Sequence, residues 1–560
     1  MPPPQPLTRT PPPRLDFTRP GTPLATDFDD IYFSVDGGLD ETREVFLSAC
    51  GLPEGWMDRE QFVIGELGFG SGLNFLATCQ AFASSHAPGH LHFISIEGFP
   101  FERDDLVKAL SPFDDLRQWS EPLISQWPGP VKGLHRLHFG RVTLTLIHDQ
   151  IGPALAGQDF KADAWFLDGF SPAKNPDMWS DAVLAEVARL STEAARLGTF
   201  TVAGSVRRGL ERAGFDVEKR PGFGRKRHRL EARRSGIFRT SATRPPVPTI
   251  IGHGIAGASI ARAFIRRGLQ PRVLFDPDHP AASGNGVALI KPRLDLQDQP
   301  MARFFLSSYL YALQAYDGAI RHTGITHIPS SEQDAARFAR LISQEPLGPG
   351  HLEWHDDQMT FARAAVIDTE QAREDALRGA TLDARAVMSI DDIDGPVIIA
   401  AGYGIRTLLP DLSVRFSRGQ LSWAEGSLTG PVTYGGYAVP VRGPVLLGAT
   451  HDRIFEPERA FELRDSDDQH NLDLAKARGL SVGPDVTPHR ASVRVNTADT
   501  VPRLFRLNPF EKTRQVWGLT GLGSRGFVYA PLLGEALVSQ FLGEPSPLDR
   551  AVLSRLSRDP

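Results

Sequence analysis

Short, almost wholly apolar runs alternate with longer amphipathic or polar stretches through the N-terminal part of the chain. Phe62–Leu67, His92–Glu97, Val142–His148, Ala164–Asp168 and Thr199–Ala203 read as strands, with helical or looped stretches between them. Runs that are apolar at successive positions are buried on both faces, which predicts a parallel sheet wrapped by helices. Val217 and Arg227–Ala232, after a helix over Val206–Ala213, add edge strands. Ser235–Pro248 has three prolines and little apolar pattern, and reads as a linker. A second α/β unit starts directly after it. Thr249–Ile251 is a strand, Ala256–Arg267 a helix and Arg272–Phe275 a strand, and Met301–Tyr316 is a further helix. A less regular middle follows, with Val397–Ala400 as a returning strand. The chain closes on a strand from Gln515, a glycine loop and the helix Pro531–Phe541. The predicted order is an α/β domain over 1–235, a linker over 236–248 and a second α/β domain over 249–560.

Each domain opens on a glycine cluster set between a strand and a helix. The first is Glu66-Leu-Gly-Phe-Gly-Ser-Gly72. Gly68, Gly70 and Gly72 permit tight turning and close backbone approach, which a Cβ would block. Acids end three successive strands: Glu66, Glu97 and Asp149. Ligands of such sheets bind outside the carboxyl ends of the strands. There Glu66 can accept from an ammonium group, Glu97 can bind ribose hydroxyls, and Asp149 lies near where an adenine amine would sit. Together they predict a nucleoside carrying an amino acid, as S-adenosylmethionine does. The second cluster, Gly252-His-Gly-Ile-Ala-Gly257, has the G-x-G-x-x-G spacing that brings backbone N–H groups to a pyrophosphate. Asp276 follows Gly252 by 24 residues, near the spacing of an acid that binds ribose. Two cofactors in one chain are therefore expected.

The fourth strand runs into Asp168-Gly-Phe-Ser-Pro-Ala-Lys-Asn-Pro-Asp177, a polar, proline-rich loop at the same sheet edge. It reads either as a catalytic loop, in which Asp168 orients or deprotonates an attacking amine, or as a helix-capping loop.

A length of 560 residues requires more than one core. Cys50 and Cys79 are the only cysteines and form no C-x-x-C pair, so disulfide frameworks and thiolate metal sites are not expected. His135 and His138 lack further ligands at metal-site spacing, and no metal is expected. The proline-rich N-terminus has no apolar signal-peptide core, and no run reaches the ~18 apolar residues of a membrane span. A cytoplasmic protein is expected. Net charge is only −6, yet ten Lys or Arg residues lie between Lys219 and Arg244 with Glu231 as the one acid among them. The block reads either as a phosphate-binding face, with Arg225, Lys226 and Arg227 at its centre, or as a solvated strand and linker.

Seven stretches, in order, resemble the MnmC family of bifunctional tRNA 5-methylaminomethyl-2-thiouridine biosynthesis proteins. They are DFDDIYFSVDGGLDETREVFL, GELGFGSGLNF, WFLDGFSPAKNPDMW, AGSVRRGLERAGFDVEKRPGFGRKR, GHGIAGASIA, ASGNGVALIKPRLD and WGLTGLGSRGFVYAPLLGE. The resemblance implies a Rossmann-like class I methyltransferase domain followed by a glycine-oxidase-type FAD domain with an inserted α+β substrate subdomain, roughly 300–500. It assigns Glu66, Gly68, Gly70, Gly72, Glu97 and Asp149 to S-adenosylmethionine, and Asp168 to the methyltransferase catalytic loop. Gly252, Gly254, Gly257 and Asp276 would bind FAD, with Ser283, Gly284, Asn285, Gly523, Ser524 and Arg525 near the flavin or its phosphates. Departures are His253, where a small residue is common, and a short, poorly matched stretch between Arg321 and Pro396.

The implied substrate is a wobble uridine in the anticodon stem-loop of tRNA, bearing a glycine attached through its nitrogen. Oxidation exposes a primary amine, which is then methylated, and dioxygen is the expected electron acceptor. The oxidase needs a cation for the substrate carboxylate. Arg494 is the first candidate, with a structural Arg paired to Asp499 as the alternative. Lys291 could sit over the flavin and aid dioxygen. Two other readings are a small-molecule amino-acid oxidase fused to an unrelated methyltransferase, and an RNA-binding protein whose nucleotide folds have lost catalysis.

Overall fold

The computed structural model describes residues 5–18, 22–33, 37–223, 227–237, 245–453, 455–507 and 515–558. Two compact units emerge. One comprises Thr8–Arg244 and Leu542–Ala551, the other Met1–Leu7, Pro245–Phe541 and Val552–Pro560. Leu542–Ala551, which lies within the 249–560 domain of the sequence reading, packs in the first unit. Its Arg550 N–H donates to Gly157 O at 2.9 Å, and the buried Arg136 donates through Nη2 to Pro545 O at 2.8 Å. A buried guanidinium requires such acceptors, and this segment supplies one.

Among its described residues the first unit has one eight-stranded sheet. Its strands are β1 (Gln61–Leu67), β2 (His90–Glu97), β3 (Gly133–Phe139), β4 (Val142–His148), β5 (Ala162–Leu167), β6 (Ser191–Thr199), β7 (Asp216–Pro221) and β8 (His228–Arg233), in the order β7-β8-β6-β5-β1-β2-β4-β3. The five central strands run parallel, and β3, β7 and β8 are antiparallel additions at the edges. Alternation along the strands builds a core on each face. Ile64, Phe93 and Phe166 point to one side, and Val63, Ile94 and Trp165 to the other. The strand expected at Thr199–Ala203 lies instead at Ser191–Thr199. Leu197 and Thr199 are its only large or β-branched buried residues; Ala194, Ala195 and Gly198 are small, and exposed Glu193 and Arg196 interrupt the run, so the local strand signal is weak. Gly198 packs so closely that a Cβ there would lie 2.4 Å from Val45 O. Helix α1 (Leu73–Ser85) follows β1, and the sheet order reverses around β1, so the crevice opens at the carboxyl ends of β1, β2 and β4.

Among its described residues the second unit holds two sheets. Its strands are β9 (Thr249–Ile251), β10 (Arg272–Phe275), β11 (Val287–Ile290), β12 (Ile320–His327), β13 (Gln358–Asp368), β14 (Thr381–Ala384), β15 (Val397–Ile399), β16 (Arg415–Gly426), β17 (Val432–Thr433), β18 (Tyr437–Pro440), β19 (Val445–Gly448), β20 (Val482–Asn496), β21 (Arg503–Leu507) and β22 (Val516–Thr520). The nucleotide-type sheet has the order β14-β10-β9-β15-β22-β21, parallel except at β21. The other sheet runs β11-β13-β12-β17-β18-β19-β16-β20, mostly antiparallel, with Leu352–His355 pairing on β13. The stretch between Arg321 and Pro396 that lacked pattern supplies β13, β14 and the helix α2 (Glu332–Gln344). Helix α3 (Gly526–Leu542) follows β22 and is longer than the expected Pro531–Phe541, with Pro531 inside it.

Candidate active sites

Strand β1 turns through Gly68, Gly70 and Gly72 into α1. Their φ angles are +87°, +54° and +81°. A Cβ at Gly68 would lie 2.5 Å from Asp168 O, and one at Gly70 would lie 2.9 Å from the Tyr32 ring. Glycine alone meets both the dihedral and the space. The strand-end acids gather around this turn. Glu97 accepts from the Gly70 N–H at 2.7 Å and the Phe99 N–H at 2.8 Å. Fully buried Glu66 accepts from Asn74 Nδ2 at 3.0 Å and Ser95 Oγ at 2.6 Å. Asn74 Nδ2 also donates to Asp168 Oδ2 at 2.9 Å. Burial pushes the Glu66 carboxyl up to about 8, against the hydrogen bonds from Ser95 and Asn74 and with help from Asp168 and Glu97. Burial also raises Glu97. Asp149, just after β4, is buried, accepts from the Gln150 N–H at 2.9 Å and lies 3.6 Å from Lys132 Nζ.

These acids are suited to a ligand that brings its own cation and hydroxyl donors, which is the donor set of S-adenosylmethionine. The Asp168 loop is pinned from the N-terminal side. The Ser171 N–H donates to Asp30 Oδ2 at 3.4 Å, and the Phe170 ring stacks on Phe28 at 4.4 Å between centroids. Tyr32 escaped the sequence reading. Its ring meets Phe170 edge-on at 5.2 Å, and its hydroxyl is buried with no hydrogen-bond partner among the described residues. Burial, with Glu97 and Asp27, holds that phenol well above its ordinary range.

The basic block forms the β7–β8 hairpin at the sheet edge, and much of it is already neutralised. Arg220 pairs with Glu218 at 2.5 Å, Arg229 with Glu231 at 2.7 Å and Arg233 with Asp216 at 3.4 Å. Among the described residues of the block, Lys219 and Arg227 are exposed and carry no ion pair. Arg225 and Lys226 lie outside the described residues.

In the second unit a cavity of about 630 Å³ is lined by Gly252, Gly254, Asp276, Ser283, Asn285, Lys291, Arg494, Gly523, Ser524 and Arg525. Gly257 and Gly284 are not on its wall. A Cβ on Gly257 would lie 1.8 Å from Gly252 O, and one on Gly252 would lie 2.3 Å from Ala400 O, so these glycines set the packing of the turn. Ser283 Oγ accepts from the Ile255 N–H at 3.0 Å, which ties the second loop to the first. Gly284 O and Ala281 O accept from Arg490. Asp276 accepts from the Asp278 N–H at 3.0 Å and contacts His279 Nδ1 at 2.7 Å. Asn285 Oδ1 is buried without a partner among the described residues. An orphaned acceptor on the wall and a glycine turn whose Gly252 and Gly254 line the cavity fit a dinucleotide such as FAD.

Arg494, on β20, donates to Thr450 O at 3.2 Å and lies 3.4 Å from His451 Nδ1. It has no carboxylate partner among the described residues. Asp499 is engaged by Arg503 at 2.9 Å and Arg555 at 2.7 Å, so the pairing with Arg494 considered from sequence is not formed. Lys291, just past β11, donates to Thr433 Oγ1 at 3.0 Å and lies 3.3 Å from His327 Nδ1. Burial, reinforced by Arg525, lowers Lys291 to about 7. His327, Thr433 and His451 also line this cavity and had no signal in the sequence pattern.

Comparison with known proteins assigns both units. Residues 114–235 match the family described as S-adenosyl-L-methionine-dependent methyltransferase. Residues 249–389 and 361–540 match FAD dependent oxidoreductase. The cofactors are therefore S-adenosylmethionine and FAD, and the chain is a methyltransferase domain followed by an FAD-dependent oxidoreductase domain. No helix among the described residues is long and apolar enough to cross a membrane. Among solved structures, iminodiacetate oxidase from Chelativorans sp. BNC1 overlays with TM-score 0.45 and 19% identity, covering 55% of this chain and 98% of that one, a likeness too slight to carry argument. The tRNA 5-methylaminomethyl-2-thiouridine biosynthesis bifunctional protein MnmC of Caulobacter vibrioides is 40% identical over 592 aligned positions, covering 99% of this chain and 98% of that one. The MnmC protein of Azoarcus sp. is 34% identical, covering 97% of each. Both domains align in the same order along nearly the full length, and the chain belongs to the MnmC family of bifunctional tRNA 5-methylaminomethyl-2-thiouridine biosynthesis proteins.

Proposed function

We propose that the chain modifies the wobble uridine of tRNA in two steps. The first removes the carboxymethyl group from 5-carboxymethylaminomethyl-(2-thio)uridine, and the second methylates the resulting aminomethyl group to give 5-methylaminomethyl-(2-thio)uridine. The observation that carries this reading is the joining of an S-adenosylmethionine-dependent methyltransferase domain and an FAD-dependent oxidoreductase domain in one chain that matches MnmC proteins over nearly its full length. When bound, FAD supplies a hydride acceptor and S-adenosylmethionine an activated methyl group.

The substrate side chain is a glycine joined through its nitrogen. Arg494 is the carboxylate anchor, since it lines the cavity without a carboxylate partner among the described residues, and a guanidinium can grip a carboxylate in two places. Loss of a hydride from the glycine methylene leaves an imine, which water hydrolyses to glyoxylate and the primary amine. Lys291, on the wall of the same cavity, assists dioxygen, the proposed electron acceptor. The Gly252–Gly257 turn takes the FAD pyrophosphate and Asp276 its ribose. Ser283, Gly284, Asn285, Gly523, Ser524 and Arg525 flank the flavin or its phosphates.

In the first crevice Gly68, Gly70 and Gly72 let the donor approach the backbone. Glu66 takes its ammonium group, Glu97 its ribose hydroxyls and Asp149 its adenine amine. Asp168 orients the substrate amine or accepts its proton. Alignment and desolvation of that amine dominate, because the sulfonium leaves readily. The anticodon stem-loop is the part of tRNA engaged, and the cytoplasm is the compartment. Nucleoside analysis of tRNA from cells lacking the chain tests the reading. The carboxymethylaminomethyl form should accumulate at the wobble position, and an undiminished level of the methylaminomethyl form would overturn it.

A further inference from the structure

The cavity of the FAD unit contains a line of side chains that leads away from its wall. Lys291 emerges from the end of β11 with Nζ 3.0 Å from Thr433 Oγ1 and 3.3 Å from His327 Nδ1. His327 and Thr433 are register partners on the adjacent strands β12 and β17, and Oγ1 lies 2.7 Å from Nδ1. Nε2 faces the Asp334 carboxylate, which places the proton of the neutral ring there and leaves Nδ1 as the acceptor beside Lys291 Nζ. Nε2 lies 3.5 Å from Asp334 Oδ2, in the first turn of α2. The Ser330 N–H and Oγ donate to the same carboxylate oxygen at 3.1 and 3.2 Å and fix its position. Lys291, His327 and Thr433 line the cavity, whereas Asp334 retains 21% side-chain exposure.

We propose that Lys291, His327 and Asp334 form a proton relay that takes a proton from the substrate nitrogen in this cavity and delivers it to solvent. Lys291 is the group that meets the substrate, and His327 and Asp334 are positioning residues that act through it. The identity of that nitrogen rests on the oxidase reading above; the relay itself rests on the contacts just given.

The chemistry requires such a group. A secondary amine enters protonated at neutral pH, and its lone pair must be free before the neighbouring methylene can lose a hydride. The substrate N–H bond breaks as a Lys291 Nζ–H bond forms. A proton then passes from Nζ to His327 Nδ1 while Nε2 releases its own to Asp334. These steps are proton transfers alone, with no change of oxidation state. Charged groups face Lys291 from each side: Arg525 before α3, and Asp334 and Arg337 on α2, while the Phe361 ring on β13 lies 4.8 Å from Nζ. Burial, Arg525 and Arg337 favour the neutral amine and Asp334 opposes them, which leaves Lys291 at about 7. Burial and Lys291 likewise hold His327 down at about 4, so its ring is neutral and can pass a proton without retaining it.

The test uses the full flavin-loaded chain, labelled with carbon-13 at lysine Cε and free of tRNA. One lysine resonance should titrate near 7, vanish in Lys291→Met and move to lower pH in Asp334→Asn, where the supporting anion is gone. Anaerobic reduction of the flavin by tRNA bearing the carboxymethylaminomethyl group should accelerate with pH through the same midpoint. Lys291→Met should lose that limb and about 100-fold in rate, within the usual range for a general base. His327→Gln should slow reduction while leaving flavin occupancy unchanged. Every lysine titrating near its ordinary ~10.4 would overturn the relay. So would a Lys291→Met chain that keeps the pH limb. If no flavin is reduced by that tRNA, yet Lys291 titrates near 7 and responds to Asp334→Asn, the relay stands and the substrate assignment falls.

Discussion

The Asn74 amide donates to Asp168 Oδ2 at 2.9 Å, and through the same nitrogen it donates to Glu66 Oε1 at 3.0 Å. Thr42 Oγ1 donates to its carbonyl oxygen at 2.7 Å, so the amide is held in one orientation. A single buried side chain at the start of α1 thus joins Asp168, just past β5, to Glu66 near the end of β1. Two carboxylates close together in a poorly solvated crevice repel one another, and a donor shared between them relieves part of that cost.

Replacing the bridge should disable methylation alone. Asn74→Asp removes the shared donor and sets a third carboxylate beside Glu66 and Asp168. S-adenosylmethionine binding, measured by calorimetry, should fall sharply, and methyl incorporation into aminomethyl-tRNA should fall with it. Asn74→Leu leaves the Thr42 hydroxyl and both acids short of a partner, which should cost about 1–3 kcal/mol in thermal unfolding. Flavin content should be unaffected in both. Undiminished methylation by Asn74→Asp would remove Asp168 and Glu66 from the site.

Glu66 predicts a pH dependence with a definite sign. Its folded value of about 8 lies above the ~4.3 of an exposed carboxyl. The protonated form is favoured in the fold, so this group's contribution to stability is full below ~4.3 and is lost as pH rises through about 8. A donor ammonium group requires the carboxylate instead. Affinity for S-adenosylmethionine should therefore rise with pH up to about 8, at most ~tenfold per unit, with proton release at pH 7. Calorimetry in buffers of different ionisation enthalpy measures that proton directly. Glu66→Gln should bind weakly with no such slope; an identical slope in the variant would assign the proton to another group.

The parts of this architecture that were legible in the sequence are those built from neighbours in the chain. The strands β1 and β9 and the glycine turns after them are local patterns, and both turns lie where their spacing implied. Strand β6 lies N-terminal to its expected position because alanines, a glycine and exposed charges dilute its apolar pattern, so packing rather than propensity makes it a strand. The pair His327–Thr433 spans 106 residues and is created by strand register, which no local pattern encodes. The ion pairs within the basic block are hidden from the sequence for a related reason. The acids that answer Arg220 and Arg233 lie just before the block, at Glu218 and Asp216, and strand pairing brings Asp216 opposite Arg233.

The two glycine positions of the FAD turn should fail in different ways. Gly254 is the N-cap of Ile255–Ile265, and a Cβ there would lie 3.3 Å from Ser283 Oγ, a contact a small shift can relieve. Gly254→Asp should fold but repel the pyrophosphate at the helix N-terminus, giving colourless protein that still methylates aminomethyl-tRNA. Gly257→Ala forces a Cβ to within 1.8 Å of a backbone oxygen and should lose about 1–3 kcal/mol of stability as well as flavin. Flavin absorbance per chain and thermal unfolding separate the two. A folded Gly254→Asp chain with stoichiometric flavin would refute the assignment of this turn.

The β7–β8 hairpin allows the tRNA contact to be tested against its own internal control. Lys219 and Arg227 are exposed and free of ion pairs among the described residues, whereas Arg220, Arg229 and Arg233 face acids at 2.5, 2.7 and 3.4 Å. A guanidinium already paired releases little when a phosphate approaches, because the acid beside it opposes the newcomer. The double variant Lys219→Gln, Arg227→Gln should therefore weaken tRNA binding and reduce the slope of log K against log salt by roughly 1.4 to 1.8, at ~0.7 to 0.9 per phosphate contact. Arg233→Gln should change that slope far less, and the acids it exposes should if anything weaken binding uniformly. Arg225 and Lys226 lie outside the described residues, and Gln at both should add to the first effect if these side chains contact the RNA backbone. Methyl-donor and flavin occupancy serve as the check on folding throughout. A salt slope unchanged in the double variant would make the hairpin a solvated sheet edge and move the search for the tRNA surface elsewhere.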